Sequence, residues 1–123
     1  MNYFSRQELQ CKCGCETLVF DVAFHQTLNK IRQDFGAPMI ITSGYRCPNH
    51  PIEADRIAAG KPTGAHGLGV AVDVSVAYGQ AYKLVRVAME HGIERIGVNQ
   101  KGDGRFIHLD VSKQHASPSM WSY

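Results

Sequence analysis

Nowhere in this chain does an apolar run approach the ~20 residues needed to cross a bilayer. Its start, MNYFSRQELQCKC, also lacks the basic segment followed by an apolar stretch that marks an export signal. A membrane partner is therefore not expected, and the chain reads as made in the cytosol without an export signal of its own. Charge of one sign is scarce too: 13 Lys and Arg stand against 11 Asp and Glu, a formal net charge of +2. That leaves no dense basic stripe, and basic and aromatic residues are not interleaved, so a nucleic-acid partner is not expected and a cysteine-zinc nucleic-acid binder is a weak reading. Cysteine is limited to four positions, Cys11, Cys13, Cys15 and Cys47, three of them too close together for a conventional disulfide framework. A bound metal, one bridge from Cys47 to the cluster, or free thiols all remain open. Internal repeats and low-complexity runs are absent, which excludes a solenoid and a disordered tail.

What is present is the composition of a soluble globular protein, 44% hydrophobic and 20% charged over 123 residues. That length suits one domain, residues 1–123, and a monomer is expected. Ser5-Arg6-Gln7-Glu8 fits a capping box and predicts a short helix that ends before the cysteines. From Asp21 as N-cap, Phe24, Leu28, Ile31 and Phe35 recur at helical spacing until Gly36 and Pro38 stop them. Met39 to Thr42 reads as a buried strand running into Ser43-Gly44-Tyr45-Arg46. Residues 47–69 form a long polar excursion with one helical turn around Ile52 to Ala59, and long ordered loops are usually functional. Tyr82, Val85 and Met89 then mark a second amphipathic helix capped by Gly92. Ile93–Val98 and Arg105–Val111 read as strands joined by a turn containing Gly102-Asp103-Gly104. The order of elements predicts an α+β fold, a mostly antiparallel sheet flanked by helices.

Two strands carry an oddity. In Gly69-Val70-Ala71-Val72-Asp73-Val74-Ser75-Val76 the valines share one face and Asp73 stands on the other, among small residues. In Arg105 to Val111, Ile107, Leu109 and Val111 share a face, and Phe106, His108 and Asp110 the opposite one. If these strands are neighbours, Asp73, His108 and Asp110 converge, and His66 on the preceding bend can fold over them. A carboxylate near a core needs a cation. Two imidazoles and one carboxylate, leaving a fourth position to water, make a catalytic rather than a structural zinc arrangement. His66 and His108 with one of the two carboxylates would then hold Zn2+, and the reaction class is amide hydrolysis. His25, His50, His91 and His115 are read as ordinary structural histidines. For Tyr45, Tyr78 and Trp121 core packing is expected over lining the cleft.

At these residues the sequence resembles the zinc D-Ala-D-Ala carboxypeptidase and L-alanyl-D-glutamate peptidase family of murein peptidases, whose zinc fold is shared by the hedgehog signalling domain. The signature His-x-x-Gly-x-Ala-x-Asp appears as His66, Gly69, Ala71 and Asp73, and a strand ending in His-x-Asp appears as His108 and Asp110. Ser43-Gly44-Tyr45-Arg46, Ile96-Gly97-Val98 and Trp121-Ser122-Tyr123 are also similar to compact phage-type members. The resemblance implies a hedgehog/DD-peptidase-like fold, zinc on His66, Asp73 and His108, and Arg46 holding a carboxylate or carbonyl of a peptidoglycan peptide. An arginine at a strand end facing the loop-lined site also suits that clamp by its own chemistry, with a surface salt bridge as the alternative.

Many relatives place Glu or Asp three residues before the last histidine, where this chain has Arg105. The general base is therefore sought in Asp110 first and Asp103 second, with an orienting role on a ligand imidazole the alternative for Asp110. Gly64 stands where relatives often have serine. Similar Cys-rich starts occur in compact relatives, which favours a structural role for the cysteines. The functional expectation is a zinc peptidase cutting a peptidoglycan stem peptide or crosslink. The missing export signal points to a phage product released to the host wall or carried on a virion. A catalytically inactive, zinc-stabilised binding module is the alternative.

Overall fold

A computed structural model describes residues 2–123. Four helices, α1 (Arg6–Leu9), α2 (Val22–Phe35), α3 (Pro51–Ala58) and α4 (Tyr78–Glu90), accompany five strands. These are β1 (Ile40–Ser43), β2 (Ala71–Ser75), β3 (Arg95–Asn99), β4 (Phe106–Asp110) and β5 (Ser119–Ser122). The sheet order is β1-β2-β4-β3-β5. All pairings are antiparallel except β3 with β5, so the architecture is α+β with a mostly antiparallel sheet.

The capping signals act where the sequence places them. Ser5 and Glu8 form a complete capping box on α1. Asp21 accepts the Phe24 N–H at the start of α2, and Gly36 ends that helix in the left-handed conformation. Phe24, Leu28, Ile31 and Phe35 all face the core, against Val72, Val74, Ile107 and Leu109 of the sheet. Helices cover that face, so the alternate face of β2 and β4 is left for polar side chains.

Four expectations need correction. In α4, Tyr82 (76%) and Met89 (50%) are exposed, while Ala81, Leu84, Val87 and Ala88 are buried. The true stripe lies a step away from the bulky residues, because the small Ala81 and Ala88 let the helix sit close to its neighbours. In β1, Ile40 is exposed and Ile41 buried, as suits an edge strand with one wet face rather than a wholly buried one. The helix in the long excursion runs for eight residues, with His50 as N-cap and Pro51 at its first position. Finally, β5 was not anticipated. It adds a parallel strand beside β3, aligning Gly97 with Trp121, and a side chain on Gly97 would collide with the Trp121 ring, its Cβ lying 2.6 Å from the indole nitrogen.

Candidate metal centre

Asp73 and His108 are direct partners across β2 and β4, so their side chains rise from the same face side by side. His66 approaches from the bend before β2. That bend is held by Gly69, which has φ of +74° and carries a Cα so close to the Val19 carbonyl that a Cβ would come within 2.4 Å of the oxygen. Glycine at this place in the motif is thus required by both conformation and space. The three residues are buried, and one donor atom from each lies within 4.8 Å of the other two.

The hydrogen bonds determine which nitrogen faces inward. His66 Nδ1–H donates to the Gly44 carbonyl (2.7 Å), which can only accept, so Nε2 carries a lone pair and stands 3.3 Å from Asp73 Oδ1. His108 Nε2–H donates to Asp110 Oδ2 (2.6 Å), which turns Nδ1 towards the same Asp73 Oδ1 at 2.9 Å. Two imidazole nitrogens and a carboxylate oxygen thus aim electron pairs at one point. Without a proton or a metal cation there, the cluster would be repulsive. This donor set fits zinc, with both histidines held from behind by the acceptors that usually orient metal-bound imidazoles.

The local electrostatics agree. Burial would raise the Asp73 carboxyl, but when protons take the place of a cation at this point, hydrogen bonds from His108 and His66 outweigh burial and hold the group well below the ordinary carboxylate range. Asp110 is likewise held low: burial is overcome by His108, the Ser112 N–H and Arg95. Burial pushes His66 down, whereas for His108 the bonds to Asp110 and Asp73 overcome burial and raise it.

The other sequence candidates divide. Arg46 lines the cleft, its Nε donating to Ser43 Oγ (3.1 Å) and its terminal nitrogen lying 3.5 Å from Asp73 Oδ2. Its ion pair is therefore inside the site rather than on a remote surface. Asp110 has no exposed surface, and its oxygens are taken by His108, by Arg95 Nε (2.7 Å) and by the Ser112 N–H (3.0 Å). This is the environment of an orienting carboxylate rather than of a mobile base. Asp103 is exposed in the β3–β4 turn and does not line the cleft.

A family model described as Peptidase M15 matches residues 2–110. The chain belongs to the peptidase M15 family. No curated protein and no solved structure gave a significant match. M15 peptidases are zinc-dependent metallopeptidases, and the matched span includes β2, β4, His66 and Arg46.

Several residues around this M15 centre escaped the sequence reading. The cleft, about 530 Å³, is also lined by Glu53, Arg95, His115, Trp121 and Tyr123. Glu53 is 2% exposed and accepts the Gly64 N–H at 3.0 Å. Trp121 is no core residue: its ring centroid lies 5.2 Å from that of His108, with the Arg95 guanidinium 4.8 Å from the indole centre. Tyr45 is buried as expected, whereas Tyr78 is 75% exposed under the Arg105 guanidinium. His25, His50 and His91 lie outside the cleft, but His115 is part of its wall, bonded through Nδ1 to Ser112 Oγ at 2.6 Å. Of these, only Trp121 and Tyr123 had a sequence signal, their place in a segment similar to phage-type members.

Proposed function

We propose that this M15 peptidase hydrolyses an amide bond in the stem peptides or crosslinks of bacterial peptidoglycan, as a carboxypeptidase or endopeptidase, in a phage setting where the protein reaches the wall by release or on a virion. The observation that carries the reading is the convergence of three lone pairs, from His66, Asp73 and His108, on the floor of a cleft that also exposes Arg46. Zinc held there would polarise the scissile carbonyl and lower the pKa of a bound water towards ~7.

The chain's own residues supply the rest. Arg46 presents a fork suited to a substrate carboxylate or carbonyl, anchored at one side by Ser43. Trp121 and Tyr123 form an aromatic wall beside His108 against which a peptide can lie, excluding water. Proton transfer falls to Glu53, the cleft carboxylate among the described residues that neither faces the metal point nor binds His108. Glu53→Gln keeps an acceptor for the Gly64 N–H, so it should leave zinc content unchanged while lowering kcat by about 10²-fold or more. An unchanged kcat would remove Glu53 from the mechanism.

The full occupation of Asp110 favours one second reading, a zinc-stabilised wall-binding module without turnover. Incubating purified murein with the protein, with and without chelator, separates the two by mass spectrometry of newly freed amino groups. Chelator-sensitive cleavage supports the peptidase; murein binding without cleavage at full zinc loading overturns it. Released D-alanine against loss of crosslinked dimers then tells carboxypeptidase from endopeptidase.

A further inference from the structure

Cys11, Cys13, Cys15 and Cys47 do not line the cleft; they meet where the loop after α1 touches the segment after β1. A hydrogen bond from the Cys11 N–H to the Thr17 carbonyl (2.9 Å) closes residues 11–17 into a compact loop. Gly14 turns within it at φ of 100°. The turn overrides the alternation that one-residue spacing would impose on an extended chain, and the thiols gather on one side. Cys47 arrives from across the fold, its Sγ 3.4 Å from those of both Cys13 and Cys15. All four sulfurs lie within 4.8 Å of one another.

We propose that these four cysteines bind a second zinc ion as a closed, tetrahedral, structural site. A zinc–sulfur bond of about 2.3 Å implies sulfur–sulfur edges of about 3.8 Å, so only small shifts separate the present cluster from a metal tetrahedron. No pair is bonded as a disulfide. Two sulfurs already accept backbone amides, Cys11 from the Cys47 N–H (3.3 Å) and Cys15 from the Thr17 N–H (3.4 Å). Such donors stabilise thiolates and fix their direction. Zinc entry displaces four thiol protons to solvent and needs no oxidant, unlike a disulfide.

The ion would tie the start of the chain to the strand-end segment that serves the catalytic cleft. The Tyr45 N–H donates to the Leu9 carbonyl (2.8 Å), Gly44 supplies the acceptor behind His66, and Arg46 directly precedes Cys47. The second site thereby braces both the outer support of a proposed ligand and the proposed substrate clamp.

Metal analysis of the full chain tests this. The wild type should hold two zinc ions, the His66→Ala/His108→Ala variant one, and the Cys13→Ser/Cys15→Ser variant one; Cys13 and Cys15 are exposed, so their substitution is the milder choice for folding. Cobalt loaded into the histidine variant should show thiolate-to-metal charge-transfer absorption in the near ultraviolet, and the cysteine variant should not. Wild-type thiols should resist alkylation until a strong chelator is added under denaturing conditions, after which all four react. A histidine variant that folds but binds no metal would overturn the proposal, and so would two thiols that stay unreactive in chelator and denaturant, the mark of a disulfide.

Discussion

Asp110→Asn separates two roles for one carboxylate. Asp110 Oδ1 receives the Arg95 Nε–H and the Ser112 N–H, while Oδ2 receives the His108 Nε2–H. Asparagine has one acceptor oxygen, and that oxygen will take the position with two donors. Its NH2 group then confronts His108 Nε2, which can respond only by giving up its proton and accepting. The proton moves to Nδ1, the atom that faces Asp73 Oδ1 at 2.9 Å and the proposed metal point. A side chain that never touches the ion thus blocks a ligand through its tautomer. Loss of such an outer partner costs roughly 10- to 100-fold in metal affinity, or about 1.4–2.8 kcal/mol. Zinc affinity would be measured by chelator competition on protein shown folded by circular dichroism, and kcat at saturating zinc. Weakened zinc with activity largely recovered at high zinc fits this account. Unchanged affinity with kcat abolished would refute it and return Asp110 to the role of general base.

Other perturbations probe the scaffold. Gly44→Ala would place a Cβ 2.5 Å from the Leu9 carbonyl oxygen and 2.9 Å from its Cα, both backbone atoms that cannot swing aside. A loss of about 1–3 kcal/mol by urea unfolding is expected, with weaker zinc binding because the same residue supports His66; an unchanged midpoint would contradict the close approach. Acid should destabilise the metal-free protein: Asp73 and Asp110 both titrate below their unfolded values, so the stability they contribute is full above about pH 4 and is lost as pH falls through the folded values. Urea midpoints that do not drop on going from about pH 5 to pH 3 would count against those depressed values.

The centre was largely legible because its signal is local. A carboxylate at one strand position and an imidazole at another, each in a period-two apolar pattern, specify a face, and the face places Asp73 beside His108 once β2 and β4 pair. What escaped depends on contacts distant in sequence. Trp121 sits on a four-residue strand whose partner, β3, lies 24 positions earlier in a parallel pairing, with too few apolar residues to announce a strand. Glu53 belongs to a short helix on which a lone glutamate reads as solvated, and only the fold of the Gly64–Gly67 bend buries it. For α4 the misreading came from size: large apolar residues drew the expected stripe, while alanines made the contact. Asp103 is near His108 in sequence, but the turn carries it away from the cleft.

The alignment of Asp73 opposite His108 has a kinetic corollary. A slip of one residue between β2 and β4 would throw one of the two onto the far side of the sheet, so capture of the proposed ion requires correct zippering of two segments 35 positions apart. In the Cys13→Ser/Cys15→Ser variant, which lacks the cysteine site, the rate at which refolding protein takes up a chromogenic metal would therefore time the assembly of the central strands, without any probe having to be attached.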